Sequence, residues 1–141
     1  MNESIVSILK QQHAELFSNL NNISSALGVS SNVDMDKIFK ILDMFKTNLI
    51  EHLKLENEVF YVQLLEKMRQ KELDTRKTEE FIAEMKNIER EVLVFFEEYK
   101  DIDSARNDLG AFKNKFEELK EALRLRIESE EMGVFSYWEL F

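Results

Sequence analysis

A histidine and a glutamate lie four residues apart in the stretch LIEHLKLENEVFY, which covers residues 49–61. The apolar residues of this stretch have helical spacing, and residues four apart in a helix lie on one face, one turn apart. His52 and Glu56 therefore fall on the face that the surrounding apolar residues predict to be buried. Imidazole and carboxylate groups are ligands for iron, manganese and zinc, so the pair is a candidate metal-binding motif.

Further polar residues interrupt apolar stripes elsewhere in the chain, namely His13, Arg126 and Glu130. A buried charge without a partner is costly, so these residues are expected to cluster with His52 and Glu56. At roughly 1.5 Å per residue, His13 comes level with His52 if the first two helices are antiparallel neighbours. The sequence thus predicts that two imidazoles and two carboxylates meet inside the protein.

The same rise per residue predicts the level of side chains on the third and fourth helices. It places Glu56 level with Met85 and Glu89 of the third helix. Arg126 reaches that level only if the fourth helix starts near Asp108, and we take that start as the prediction.

Four predicted helices position these side chains, and the apolar residues of each recur in steps of three and four. They run from about Ser4 to Leu27, from about Asp36 to Gln70 with Asp34 or Asp36 as cap, from the KELDT segment to about Lys100, and from between Ser104 and Asp108 to the end of the sequence. The second stripe continues past Glu56 through Val59 and Gln63, and the fourth continues through Arg126, Glu130, Gly133 and Tyr137. Amphipathic helices with short connections predict an all-α, antiparallel up-down four-helix bundle that forms one domain over residues 1–141.

The composition of the chain excludes several classes of site and of function. The 141 residues contain no cysteine, which excludes thiolate metal sites, and no proline and three glycines, which favours long helices. The net charge of −9 argues against nucleic-acid binding. The start MNESIVSILKQQ resembles no secretory signal and no apolar run has membrane-spanning length, so we expect a cytoplasmic protein with no membrane contact. With no Gly-rich phosphate loop and no nucleophile set, we predict no catalytic residues and no enzyme.

These residues resemble the hemerythrin-like, or HHE, family over essentially the full length of the chain. His13 in KQQHAELF, the motif HLKLENEVFYV and the motif RIESEEMGVFS carry the resemblance. The resemblance implies a non-haem di-iron centre with histidines on all four helices and a glutamate on the second and fourth. His13, His52 and Glu56 match that pattern, and so does Glu130 or, as a secondary candidate, Glu131.

The chain departs from the family pattern on the third and fourth helices. Met85 and Glu89 stand where the family has histidines of the third helix, and Arg126 stands at the histidine of the fourth. The resemblance implies that one iron takes its imidazoles from the first two helices and the other from the last two. The chain therefore keeps the ligand set of one iron, with Arg126 predicted to brace the carboxylates in place of the second cation.

Three alternatives for the cluster remain open from the sequence. The first is a one-metal site of His13, His52, Glu56 and Glu130, holding iron or another divalent ion. The second is a metal-free relic in which the same residues form an ion-pair network. The third keeps two ions, with Glu84 or Glu89 in place of a missing imidazole.

The corresponding functions come from two classes. The first is a small hemerythrin-like binding module or sensor of bacterial type, related to oxygen, redox state or iron and read by a partner protein. The second is a metal-free regulatory or scaffold bundle that acts through protein contacts. The chain is expected to be a monomer or a homodimer.

Overall fold

The computed structural model describes residues 4–28 and 33–141, and within these ranges every regular element is helical. The elements are α1 (Ile5–Leu27), α2 (Met35–Leu55), a π-helical turn (Glu56–Phe60), α3 (Tyr61–Gln70), α4 (Arg76–Glu98), α5 (Ile102–Arg106), α6 (Leu109–Met132) and α7 (Val134–Glu139). The all-α class predicted from the sequence is confirmed for this part of the chain. The centre of the predicted loop after the first helix lies outside the described residues.

Short polar side chains fix the starts of the helices that carry the site. The carboxylate of Asp34 accepts a hydrogen bond from the backbone N–H of Lys37, so Asp34 rather than Asp36 caps α2. Asp108 accepts from the backbone N–H of Ala111 and starts α6 at the predicted position. Each such cap satisfies one of the backbone donors that a helix start leaves without a partner.

A π-helical turn interrupts the second predicted helix and moves its buried face. A π turn holds one more residue than an α turn, so the positions that face the core shift by one residue beyond it. Phe60 and Leu64 are buried, whereas Gln63 is exposed and Val59 is half-buried. The predicted stripe through Val59 and Gln63 was therefore wrong from this turn onward.

The fourth predicted helix is also interrupted, at Gly133. This residue has φ −103° and ψ −91°, so α6 ends at Met132 and α7 sets off in a new direction. The predicted stripe through Gly133 and Tyr137 fails here, because Tyr137 is 44% exposed and the neighbouring Phe135 is buried instead.

Packing produces two apolar clusters. Helix α1 packs against α2 and α6, and α6 against α4, while α2 and α4 approach each other less closely. The larger cluster draws on α1, α2, α4 and α6; the smaller one contains Val6, Leu9, Phe60, Tyr61, Leu64, Met68, Val134 and Phe135. None of the helices in the described ranges combines the length and apolar character needed to span a membrane.

Candidate metal centre

Four buried polar side chains meet between the two apolar clusters. They are His13 from α1, His52 from α2, Glu56 from the π-helical turn and Glu130 from α6, and each is at most 3% exposed. One ligand atom from each of the four lies within 4.8 Å of the others. The structure thus brings together the four residues that the sequence singled out as the main metal ligands.

The spacing of these atoms suits a single cation. The Nε2 atoms of His13 and His52 are 3.1 Å apart, and His52 Nε2 is 3.0 Å from Oε2 of Glu56. His13 Nε2 is 2.9 Å from Oε1 of Glu130. Two ligands that each lie about 2.1 Å from one ion at a right angle are about 3.0 Å apart. Two neutral imidazoles and two carboxylates also balance the charge of a divalent ion.

Two hydrogen bonds from outside the cluster orient these ligands. Oε1 of Gln12 lies 2.8 Å from Nδ1 of His52 and accepts its hydrogen, which leaves Nε2 of that imidazole as the free lone pair. The Tyr61 hydroxyl donates to Oε2 of Glu130 over 2.6 Å, so Oε1 is the oxygen that faces the cluster. Partners of this kind fix the orientation of metal ligands in proteins.

Sequence reasoning missed both of these orienting residues. Gln12 directly precedes His13 on the helix that faces His52, and this position could have indicated that its side chain reaches the imidazole of His52. The role of Tyr61 could not be predicted from the sequence. The π-helical turn moves Tyr61 to the buried face, and the apolar pattern does not indicate such a turn.

Several inward-facing atoms have no hydrogen-bond donor among the described residues. Both carboxylate oxygens of Glu56 and Oε1 of Glu130 are in this group. Nε2 of His52 carries no hydrogen, and Nε2 of His13 is paired with it, so neither of these imidazole nitrogens donates to the carboxylate oxygens. Buried polar groups are nearly always satisfied, so carboxylate oxygens in this state fit a cation as their partner.

Burial also sets the protonation of the cluster. Burial, with the charge of His13 beside it, lowers the pKa of His52 to about 4. Burial and the neighbouring Glu130 carboxylate raise the pKa of Glu56 well above its ordinary value. Burial alone would raise the pKa of Glu130, but His13, Glu56 and Tyr61 favour its charged form and hold that pKa below the ordinary range. Burial therefore favours the neutral forms of His52 and Glu56, whereas the neighbours of Glu130 favour its ionised form.

Arg126 lies beside the cluster and turns away from it. Its Nη1 donates to Glu84 over 2.8 Å and its Nη2 to the carbonyl oxygen of Phe81 over 2.6 Å. Its guanidinium carbon is 3.5 Å from the centre of the Phe81 ring. Arg126 was predicted to brace the carboxylates of Glu56 and Glu130. Among the described residues it instead contacts Glu84 and Phe81. The reason is the register of α6, which buries Ile127 and leaves Arg126 at the edge of the helix interface.

The other sequence candidates surround the cluster without joining it. Met85 is buried and lines a cavity of ≈ 20 Å³ together with His52, Glu89 and Glu130. Glu89 is half-buried and accepts a hydrogen bond from the side-chain amide of Asn57 over 2.9 Å. Glu131 lies on the outer side of His13, with its Oε1 3.8 Å from Nδ1.

Comparison with known proteins gives a single family. The sequence model described as the hemerythrin HHE cation binding domain matches residues 4–138, nearly the whole chain. Searches of curated proteins and of solved structures find no match.

Proposed function

We propose that this chain, which belongs to the hemerythrin HHE cation-binding domain family, binds one divalent transition-metal ion through His13, His52, Glu56 and Glu130. The observation that carries the proposal is the convergence of four buried ligand atoms. Three carboxylate oxygens of these ligands, both of Glu56 and Oε1 of Glu130, have no hydrogen-bond donor in the described residues. Two imidazoles and two carboxylates suit iron(II), manganese(II) and zinc(II), and we take iron(II) as the ion.

One ion, rather than two, is proposed because the residues around the cluster oppose a second. Glu130 offers only Oε1 to the cluster, since Tyr61 holds Oε2. Met85 is a weak ligand for iron, and Arg126 cannot coordinate and adds a positive charge. That charge repels a second cation on the α4–α6 side.

The proposed architecture is the antiparallel four-helix arrangement of α1, α2 with α3, α4, and α6. Residue pairs across the interfaces support it, because partner numbers fall as residue numbers rise. Between α1 and α2 the pairs are His13–His52 and Asn19–Asn48, and between α4 and α6 they are Glu84–Arg126 and Glu98–Lys115.

We propose that the domain works as an oxygen-, redox- or iron-responsive binding module whose state is read by a partner protein. A bound iron ion supplies a one-electron redox centre. The chain contributes a buried pocket, a His52 that stays neutral above about pH 4, and a Glu130 carboxylate that is held in place by Tyr61. A change in charge at the ion therefore acts on buried groups from four helical segments, namely α1, α2, the π-helical turn and α6.

Metal content of the purified protein tests this proposal. The chain is prepared without a metal-binding tag, and iron, manganese and zinc are measured by elemental analysis for wild type, His52→Ala and Glu130→Gln. We expect about one ion per chain in the wild type and a large loss in both variants, because each removes one of the ligands. Glu128→Gln is the control, since Glu128 is exposed on the same helix and pairs with Arg124.

Other results decide against the proposal in distinct ways. Two ions per chain would contradict the one-ion site. A wild type that takes up no ion, and whose unfolding is indifferent to added iron and to chelator, would favour the metal-free contact module.

A further inference from the structure

We propose that divalent cations reach the centre through the groove between α2 and α4, and that Glu89 is the carboxylate that receives them on the way. The inference rests on the proposed function, because it concerns how the ion enters the site. It assigns to Glu89 a transient ligand role rather than a place among the four resident ligands.

The groove leads from the surface to the cluster. Outside, a depression of ≈ 190 Å³ between α2 and α4 has exposed apolar residues at its mouth, among them Leu93. Inside, the cavity of ≈ 20 Å³ borders His52 and Glu130. The two spaces adjoin, because they share four lining residues, Leu49, Leu53, Glu89 and Val92. The cavity has room for roughly one water molecule.

Glu89 is the carboxylate at the junction of the two spaces. The side-chain amide of Asn57 donates to its Oε1 over 2.9 Å and holds the carboxylate across the gap between the π-helical turn and α4. Its other oxygen is left for a cation. The remaining walls at this point are apolar, and a charge between apolar walls attracts counter-ions more strongly than one in open water.

The other sides of the centre are less open to a cation. The ring of Phe135 stacks on His13 with centroids 5.4 Å apart and an angle of 8° between the planes. On the α4–α6 side the guanidinium of Arg126 packs over the ring of Phe81 and pairs with Glu84, so it occupies that side. Of these three sides, the α2–α4 groove is the one that combines open space with a carboxylate next to the cluster.

Rates of metal exchange test the inference. Metal-free protein is mixed with Co²⁺ alone, loading is followed by visible absorbance, and removal is followed after addition of EDTA. Glu89→Gln should slow loading about tenfold, because it removes the focusing charge. Removal should slow as well, so the bound amount at saturation stays that of the wild type. The control is Glu91→Gln, which removes the same charge from the exposed α4–α6 side of α4.

A second pair of variants tests the groove without changing charge. Leu93→Trp fills the mouth of the α2–α4 groove, whereas Val94→Trp adds the same ring to the neighbouring groove between α4 and α6. Both positions are exposed, at 59% and 63%, so folding should be preserved in both. We expect slower loading and slower removal in Leu93→Trp alone.

The outcomes separate this inference from the proposed function. Unchanged rates in Glu89→Gln and Leu93→Trp, with normal metal content, overturn the access route and leave the metal site standing. Loss of bound Co²⁺ at saturation in Glu89→Gln makes Glu89 a resident ligand and also overturns the inference. Failure of the wild type to bind any ion overturns the proposed function itself.

Discussion

At the scale of single residues, the chemistry of the centre depends on which atom of each ligand faces inward. An imidazole has two nitrogens and a carboxylate two oxygens, so a neighbour that occupies one atom selects the other. Gln12 does this for His52, and Tyr61 does it for Glu130. Two of the four ligands are thus oriented by residues that are not themselves ligands.

Gln12 gives a direct test of this selection. In Gln12→Ala, His52 loses the acceptor of its Nδ1 hydrogen, so the ring can rotate and its Nε2 is no longer held toward the cluster. We expect metal affinity to fall by about 10- to 100-fold, the usual cost of losing such a partner. Competition with a chelator measures it, with Gln11→Ala on the exposed side of α1 as the control. Equal affinities in the two variants would show that Gln12 does not orient the imidazole.

Glu56 predicts a pH dependence of metal binding. Its pKa is raised by burial and by Glu130, so the metal-free protein carries a proton there above the ordinary pKa of a glutamate. A ligand must be the carboxylate, so binding releases this proton, and affinity rises with pH until the raised pKa is passed. His52, with its pKa near 4, adds no proton near neutrality.

Calorimetry counts the proton that Glu56 releases. Titration of metal at a fixed pH above the ordinary pKa of glutamate, in buffers of different ionisation enthalpy, should show that protons are released as the ion binds. A binding heat that does not depend on the buffer would mean that Glu56 is already ionised before the ion arrives.

The ligands could be predicted from the sequence because each is a polar residue in an apolar stripe. His13, His52 and Glu56 sit before or at the start of the π-helical turn, where regular helical spacing still holds. Arg126 also looked like a stripe residue, yet the true buried position beside it is Ile127. Spacing in steps of three and four allows either residue, and only packing against α4 decides between them.

At the scale of elements, two irregular turns aim the side chains of the centre. The π-helical turn starts at Glu56 and brings Phe60 and Tyr61 to the buried face. The break at Gly133 lets α7 bring Phe135 onto the ring of His13. Straight helices would place none of these three aromatic rings there.

Gly133 is required by the close approach of the backbone at this break. A Cβ atom at this position would lie 2.9 Å from the carbonyl oxygen of Ser129, which is closer than real contacts allow. Gly133→Ala should therefore lower the free energy of unfolding by about 1–3 kcal/mol, as overpacking does elsewhere. Urea denaturation measures the change.

Gly110 supplies the matched control for that substitution. It lies near the start of α6, where a Cβ would meet only Asp108 Oδ1 at an ordinary 3.6 Å. Gly110→Ala should be neutral or stabilising by up to about 1 kcal/mol, because alanine favours the helix. A Gly133→Ala variant as stable as Gly110→Ala would show that the break relaxes without cost.

The helices themselves were largely predictable, whereas these two turns were not. Apolar periodicity and capping residues indicate regular α-helix; Asp34 was one of two predicted caps for the second helix, and Asp108 was the predicted start of the fourth. A π turn has no comparable signature, because its extra residue is accommodated by tertiary packing. Gly133 fitted the spacing of the fourth apolar stripe, so the pattern alone did not predict that the helix ends there.

At the scale of the whole molecule, the polar cluster divides the interior into two apolar parts. The larger cluster lies on one side and the smaller one, with Leu9, Phe60 and Phe135, on the other. A buried polar layer of this kind is expensive in a protein without its ion, since its groups are desolvated and partly unsatisfied.

This cost predicts the stability of an apolar replacement. The combined variant His13→Leu, His52→Leu, Glu56→Met and Glu130→Met should match the metal-free wild type or exceed its free energy of unfolding by about 1–4 kcal/mol. Single Glu130→Met should be less stable than the wild type, because it leaves the remaining polar groups without their partner. A large loss of stability in the combined variant would mean that the polar layer is kept for folding rather than for binding.

The contact between His13 and Glu130 joins the two extremities of the domain, since most of the described chain lies between them. An ion shared by these two side chains closes that long loop as a covalent cross-link does, and it restricts the unfolded chain accordingly. Mechanical tension applied to the first and last helices is then carried by the metal–ligand bonds before it reaches the helices between them. Under force, the metal-bound domain should therefore unfold in a single step. The metal-free domain should unfold at a lower force, because its outer helices can detach separately.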